Sequence, residues 1–588
     1  MQIAPLSGLV LALLTTPVLA QTAQPARNIV IFVADGLRYG SVEPGNMPNM
    51  YKLKTQGVDF TNSHSLFPTI TTVNASAIAT GHYIGDTGDF GNTLYAGTPM
   101  LSAHGSPIAE MENNAVLAEM NQKFGGNYLN EETLMARARA QGFSTAVIGK
   151  LGPTRIQDST AAADGSETLI LDDNSGHEGG LALPAWFSRE MKQAFLAPEA
   201  PKNTVPNIEQ EVWLMKATTR IVLPHFKESG KPFALLFWSR DPDYSQHNSK
   251  DSVGEYQPGI NGPSGKAGTR NADTTLGELL AALKQQGLDK TTDIFVTADH
   301  GFLTVSHTSA TSPSVKFGEP GDIGNGFVAI DLASALKLRL FNPSRNFAAV
   351  DYSSGAKLAG GTGLLGDPAD PDVVVTANGG ADLIYLPKAN AKDLAGDIIK
   401  FLTTQDYVSG LFVNDALGKF PGTLPMSALN LIGSARTPAP SIYISFRSFS
   451  GECTNKLQCA MGIHDSVQAV GQGSHGSLSR PATRNFMAAI GPDFKAGYAD
   501  PTPVSNADIA PTMAHIAGIT LPAKGKLKGR VISEALKGGA GITASKHTIQ
   551  SSPAENGART ILNFQQVGDQ RYFDAAGFAG KAVGLTPP

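Results

Sequence analysis

The chain has 588 residues, of which 16% are charged, and its formal net charge is -5. This weak charge argues against binding to duplex nucleic acid or to a membrane surface through bulk charge. The length allows several domains or one large α/β enzyme with insertions. The 63 glycines and 37 prolines fit a loop-rich enzyme better than a helical bundle.

Residues 1–20 predict a signal peptide. An apolar stretch from Leu6 to Leu19 ends in a small residue, Ala20, and polar residues follow it, as at a signal-peptide cleavage site. The stretch is short for a membrane span, although no Lys or Arg precedes it. No later segment has the pattern of a transmembrane helix. We therefore expect a periplasmic or secreted protein that keeps no transmembrane anchor after signal cleavage.

Four apolar runs predict strands that are buried on both faces of a parallel sheet. Each of the last three follows a helical stretch, and a glycine separates the two in two of these cases. This alternation predicts an α/β fold with a doubly wound, mostly parallel sheet and helices on both faces. In chain order the runs are residues 28–36, 144–150, 233–238 and 293–301, and the helical stretches are residues 131–141, 208–226 and 274–286.

The remainder of the chain is less regular. Residues 310–480 predict insertions that form a smaller cap region, in which Ser353 to Asp372 has the composition of a long loop. Within this region residues 373–415 predict a strand, a helix and another strand. Order returns with a strand at 485–492, a helix at 504–519 and an edge hairpin at 559–573. We therefore predict a main domain over residues 28–525 and a C-terminal extension over residues 526–588.

The chain has only two cysteines, Cys453 and Cys459, which lie six positions apart in a polar, glycine-flanked loop. In an exported protein this spacing predicts a small local disulfide, with two free thiols as the alternative. Two cysteines alone do not make a structural zinc site.

Carboxylate and imidazole side chains follow three of the predicted strands. Because ligands of an open parallel sheet bind at the carboxyl ends of its strands, the fold would bring these side chains together. Carboxylates with neutral imidazoles form a set that suits zinc. Each group alone is common by chance, so the prediction depends on the joint pattern. The candidates are Asp35, Asp241, Asp243, His247, Asp299 and His300.

Thr71 is a candidate nucleophile. Phe67-Pro68 predicts extended chain and residues 72–80 predict a helix, so Thr71 lies near a helix N-terminus, where backbone amides and the helix dipole favour an anion such as phosphate. A threonine hydroxyl is a weak nucleophile until a metal lowers its pKa. Considered alone, Thr71 would be interpreted as a helix N-cap.

Five short runs are specific as a set, because of their order and spacing. They are VADG at 33–36, FPTIT at 67–71, DYSQH at 243–247, DHG at 299–301 and GSHG at 473–476. Together they resemble the alkaline phosphatase superfamily, and most closely its Thr-nucleophile branch. That branch includes type I phosphodiesterase/nucleotide pyrophosphatases and certain secreted bacterial alkaline phosphatases. The resemblance covers roughly residues 28–525, which identifies that span as the catalytic domain.

The resemblance implies two Zn²⁺ ions about 4 Å apart, with phosphate bridging them and a phospho-threonine intermediate. One zinc would be held by Asp35, Asp299, His300 and the Thr71 oxygen, and the other by Asp243, His247 and His475. Asn92 stands 21 positions after Thr71, where the family has an asparagine that binds phosphate. Asp241 competes with Asp243, and His464 competes with His475.

Lys150 bears on the choice of substrate. The resemblance implies that a lysine at such a position contacts phosphate, usually with an arginine two residues later, but here that position is Gly152 and the next arginine is Arg155. A phosphomonoester dianion needs such an additional cation. We therefore expect a small phosphorylated substrate and an alkaline phosphomonoesterase, with a nucleotide pyrophosphatase/phosphodiesterase as the alternative. A catalytically inactive binding protein of the same fold is a third hypothesis.

Overall fold

A computed structural model describes residues 27–162, 164–317, 321–352 and 357–588. The predicted signal peptide, residues 1–20, lies outside the described residues. Within them, no helix combines the length and the apolar character that crossing a bilayer requires. Cys453 and Cys459 are joined by a disulfide, which confirms the predicted local bond.

The centre of the fold is a mixed, mostly parallel sheet of eight strands, which confirms the predicted α/β class. In chain order its strands are β1 (Asn28–Ala34), β2 (Val58–Phe60), β3 (Ser144–Gly149), β4 (Leu169–Asp172), β5 (Phe233–Ser239), β6 (Thr292–Thr297), β7 (Met487–Ile490) and β8 (Tyr498–Asp500). Across the sheet the order is β8-β2-β7-β6-β1-β5-β3-β4. Strand β1 lies between β5 and β6 and is parallel to both.

Both faces of β1 are buried because its apolar run has no polar alternation. Ile31 and Val33 pack into a core on one face of the sheet, whereas Phe32 and Ala34 pack into a core on the other. Helices cover both faces. The helices of the first face are Thr71–Thr80, Asn114–Lys123, Leu134–Ala140 and Ile509–Ala517, and those of the second are Pro48–Gln56, Ala185–Gln193, Ile208–Ala217, Leu223–Ser229 and Pro263–Gln285.

A second sheet of eight strands occupies much of the predicted insertion. The segment from Ser353 to Asp372 is not all loop, since Gly363–Asp367 pairs antiparallel with Asp370–Asn378 and forms a hairpin around its Asp- and Pro-rich turn. The other strands are Leu340–Asn342, Ala348–Val350, Ala381–Tyr385, Val408–Val413, Leu424–Pro425 and Ile442–Phe446, and the flanking helices are Phe327–Leu336 and Ala391–Leu402.

The C-terminal part forms a three-stranded antiparallel sheet. The predicted hairpin is present as Ile561–Val567 and Gln570–Gly577, and Ser545–Gln550 adds an exposed edge strand. Asp574 joins this sheet to the main domain, because its carboxylate lies 2.9 Å from Nε2 of His64 and 3.6 Å from Nε of Arg480. The division of the chain into a domain and an extension remains a prediction.

Candidate active site

The carboxyl ends of β1, β5 and β6 converge on one group of polar side chains. Asp35 follows β1 directly, and Asp299 and His300 follow β6 after one residue. Asp243 and His247 lie on a short helix, Asp243–His247, just after β5. Because β1 pairs in register with both neighbours, these strand ends are adjacent.

The first cluster of potential metal ligands contains Asp35, Asp243 and His300, whose ligand atoms all lie within 4.8 Å of one another. His300 Nε2 is 3.6 Å from Asp35 Oδ1 and 3.2 Å from Asp299 Oδ2. Thr71 Oγ1 lies 3.3 Å from the same nitrogen. The four residues predicted for one zinc are therefore close together, and Asp243 stands beside them.

The second cluster contains Asp243, His247 and His475, again with all ligand atoms within 4.8 Å. Asp243 Oδ1 is 3.1 Å from His247 Nε2 and 3.5 Å from His475 Nε2. His475 comes from the distant GSHG run. It is held there because Gly473–Ser474 pairs with the strand Leu303–Ser306 beyond His300, and because Gly476 bridges to Thr69. Asp243 lies between the two clusters.

The three histidines present the same nitrogen to the centre. Each Nδ1 contacts a backbone carbonyl: Gly473 O for His247, Gly301 O for His300 and Thr69 O for His475. A carbonyl only accepts hydrogen bonds, so Nδ1 carries the proton in each ring. The neutral ring then keeps a lone pair on Nε2, which is the arrangement of metal-bound histidines. Burial lowers the pKa of His300 to about 3 and lowers that of His475, whereas at His247 the charge of Asp243 outweighs burial and raises the pKa.

The carboxylates also fit bound cations. Oδ1 of Asp35, Oδ1 of Asp243 and Oδ2 of Asp299 are buried and accept no hydrogen bond among the described residues. Burial and the charge of Asp243 raise the pKa of Asp35 to about 6, and burial with the charge of Asp35 raises that of Asp299. Buried carboxylate oxygens without partners are costly unless a cation compensates them. The donor set therefore suits two divalent ions with oxygen and nitrogen ligands.

Thr71 is the first residue of the helix Thr71–Thr80, as its predicted role requires. The preceding residue, Ile70, provides no side-chain cap, so the helix end faces the site. Asn92 Oδ1 accepts a hydrogen bond from the backbone amide of Thr72. This contact fixes the orientation of the Asn92 amide, and its Nδ2 donates to no atom of the described chain. An oxygen of a phosphate beside Thr71 could accept that hydrogen bond.

Lys150 Nζ lies inside the same site. It is 3.3 Å from Thr71 Oγ1, 2.9 Å from Asp35 Oδ2 and 3.5 Å from Asp243 Oδ2. Burial opposes its charge, but Asp35, Glu112 and Asp243 outweigh that effect and raise the pKa of Lys150 well above its usual value. Lys150 is therefore a buried ammonium in direct contact with the candidate nucleophile.

The structure separates the rival ligands left open by the sequence. Both oxygens of Asp241 accept hydrogen bonds, from Asn207 and Asn271 on one side and from Ser245 on the other. His464 is buried, but it belongs to neither cluster. Arg155, the next arginine after Lys150 in the sequence, donates to the carbonyl of Ala161. Asp243 and His475 therefore lie among the other candidate metal ligands, whereas Asp241 and His464 do not.

Two substitutions test the assignment of Asp243. Asp241→Ala should lower the free energy of unfolding by about 3 kcal/mol, because it leaves several buried donors without an acceptor, and the metal content should stay unchanged. Asp243→Ala should lower the metal content without destabilising the metal-free protein. Thermal unfolding and elemental analysis would measure both effects. If Asp241→Ala lost metal and Asp243→Ala kept it, Asp241 rather than Asp243 would be the metal ligand.

Two further side chains at the site have no signal in the sequence. Trp238 lies within a predicted strand, and its indole donates to Asp35 Oδ2. Glu112 Oε1 lies 3.0 Å from Lys150 Nζ. Neither residue belongs to a motif.

Comparisons with known proteins agree with this geometry. The family model for type I phosphodiesterase/nucleotide pyrophosphatase matches residues 29–323, a span that includes Thr71, Asn92 and Lys150 but not His475. Venom phosphodiesterase 2 and venom phosphodiesterase 1 of Crotalus adamanteus are each 26% identical over 280 residues, 47% of this chain, and venom phosphodiesterase CdcPDE of Crotalus durissus collilineatus is 25% identical over the same length.

The matched region spans only about a quarter of each relative, 27% of the first and 26% of the other two. The family match over residues 29–323 contains the ends of β1, β5 and β6, where most of the candidate ligands lie. On the extent of the family match, the chain belongs to the type I phosphodiesterase/nucleotide pyrophosphatase family of the alkaline phosphatase superfamily.

Proposed function

We propose that the protein hydrolyses phosphoric diesters and the phosphoanhydride bonds of nucleotides, with Thr71 as the nucleophile. The observation that carries the proposal is the position of Thr71 Oγ1, which lies 3.3 Å from both His300 Nε2 and Lys150 Nζ at the start of a helix. The family and the named activity of the venom relatives support the diester substrate. They give no specific support to the phosphomonoesterase expected from Lys150.

Two divalent ions, which we propose to be zinc, would be held by Asp35, Asp299, His300 and Thr71 and by Asp243, His247 and His475. When bound, such ions neutralise phosphate charge, lower the pKa of the threonine hydroxyl and activate water. Nitrogen and carboxylate ligands without thiolate suit zinc in a hydrolytic site. The zinc identity is testable by measuring the metal content of the protein purified without chelators.

The residues of the chain supply the nucleophile and the positioning. Thr71 Oγ1 would release its proton to solvent and form a bond to phosphorus, while the ester oxygen on the opposite side leaves and takes a proton from water. Asn92 Nδ2 would donate to a non-bridging oxygen, and Lys150 would hold the deprotonated form of Thr71 by its charge. Water would then cleave the phospho-threonine and release the product. Preorganised donors of this kind account for much of the rate of such reactions.

A phosphomonoesterase is the second candidate, because Lys150 places a buried cation beside the nucleophile. The ratio of kcat/KM for bis(p-nitrophenyl) phosphate to that for p-nitrophenyl phosphate distinguishes the two. We expect the diester to be favoured by at least about tenfold. A ratio below one would instead establish the monoesterase, and no turnover of either ester by the zinc-loaded protein would leave the inactive binding protein as the explanation.

A further inference from the structure

Glu112 is a partly exposed carboxylate that contacts the buried Lys150. Its Oε1 lies 3.0 Å from Lys150 Nζ, and 36% of its side chain is exposed, whereas only 5% of the Lys150 side chain is. Asp35 and Asp243 contact the same ammonium from the inner side. A phosphate beside Thr71 would therefore have Glu112 close to those of its oxygens that reach Lys150.

The backbone holds Glu112 in this place. Thr93–Tyr95 and Ile108–Glu110 form an antiparallel hairpin, and at its open end Met111 N donates to the carbonyl of Asn92. Asn92 and Glu112 thus come from the two sides of one hairpin end. The turn after β3 packs against it, because a Cβ on Gly152 would lie 2.7 Å from Glu112 Cα. Gly152 has a φ of +89°, so this close approach also requires glycine.

The charges around Lys150 give Glu112 a specific effect. The nearby cation Arg240 is already paired with Asp173, and its charge is compensated there. Glu112 compensates Lys150 in the same way, and it is the most exposed of the three carboxylates around the lysine, with 36% of its side chain exposed against 0% for Asp35 and 6% for Asp243. A monoester dianion is repelled by this carboxylate more strongly than a diester monoanion, since the interaction scales with charge.

We propose that Glu112 is a specificity-determining residue, which cancels the cation of Lys150 toward the substrate and makes the site select monoanionic phosphodiesters over phosphomonoester dianions. This inference rests on the proposed function, because it assumes that a phosphate ester binds beside Thr71. It explains why a buried lysine is compatible with a diester substrate. It also assigns a role to Gly152, whose lack of a side chain lets the hairpin end approach the lysine.

Glu112→Gln tests the inference, because it keeps the size of the side chain and removes its charge. The ratio of kcat/KM for bis(p-nitrophenyl) phosphate to that for p-nitrophenyl phosphate should fall by about tenfold, mainly through faster monoester hydrolysis. Glu110→Gln is the matched control. Glu110 lies two positions earlier, accepts a hydrogen bond from Thr93 and forms no ion pair with Lys150. Its ratio should stay within about twofold of the wild type.

Binding of orthophosphate provides a readout that is independent of turnover. Calorimetry on the zinc-loaded proteins should show that Glu112→Gln binds orthophosphate about tenfold more tightly, whereas Glu112→Asp, which keeps the charge, should bind as the wild type does. An unchanged substrate ratio with an unchanged phosphate Kd would overturn the role of Glu112. If Glu112→Asp bound orthophosphate as tightly as Glu112→Gln does, the charge of Glu112 would not be the cause of the change in binding. A wild type that cleaves neither ester would refute the proposed function, while the phosphate Kd would still test Glu112.

Discussion

Replacing Thr71 with alanine is expected to lower kcat for bis(p-nitrophenyl) phosphate by at least about 10⁴-fold, the scale of loss when an enzyme nucleophile is deleted. The hydroxyl that contacts His300 and Lys150 is removed, and no other hydroxyl among the described residues has both contacts. The remaining candidate ligands are unaffected, so both ions should stay bound. Elemental analysis beside steady-state kinetics measures the two effects separately.

The matched control is Thr71→Ser, which keeps a hydroxyl at the start of the helix. It should retain far more activity than the alanine variant. Acid quenching of a reaction with the wild type should also leave phosphate on the peptide that contains Thr71, and mass spectrometry would detect it. Full activity of Thr71→Ala, or phosphate on another residue, would refute the nucleophile assignment. Loss of metal in Thr71→Ala would show that its oxygen matters mainly as a ligand.

The central sheet could be predicted because the sequence of each of its inner strands is by itself typical of a buried strand. The apolar runs that became β1, β3, β5 and β6 have no polar alternation, so they require burial on both faces whatever their neighbours are. The second sheet has a weaker signal. All but one of its strand pairings are antiparallel, and the segment with Gly363–Asp367 has the Gly, Pro and Asp content of a loop, because those residues build the turn of a hairpin.

The same contrast applies to the site. Asp35, Asp243 and His300 follow predicted strands, so sheet topology alone brings them together. His475 required the family resemblance, because its place depends on pairing between Gly473–Ser474 and Leu303–Ser306. Glu112 could not be predicted at all. Its contact with Lys150 depends on how one hairpin packs against the turn at Gly152, and such packing has no local pattern.

Removing the metal ions is expected to abolish turnover and to lower the midpoint of thermal unfolding. Three of the candidate metal ligands, Asp35, Asp243 and Asp299, are buried carboxylates with an unpaired oxygen, and the unfolded chain has no such preformed site. Ions that bind only the folded state stabilise it by mass action, by about 4 kcal/mol when the free ion exceeds its Kd a thousandfold. Incubation with a chelator followed by scanning calorimetry would measure the loss, and added zinc should restore both activity and the midpoint.

A variant that lacks the shared ligand makes this result specific. Asp243 belongs to both clusters, so Asp243→Asn should weaken both ion sites, and the chelator should then change its unfolding midpoint little. Asp241→Asn is the matched control, because it makes the same chemical change two positions away, in a carboxylate that accepts hydrogen bonds from Asn207, Ser245 and Asn271 and belongs to neither cluster. That variant should respond to the chelator as the wild type does. Activity that survives complete metal removal would exclude metal-assisted hydrolysis and leave Lys150 and Asn92 to stabilise the phosphate beside Thr71.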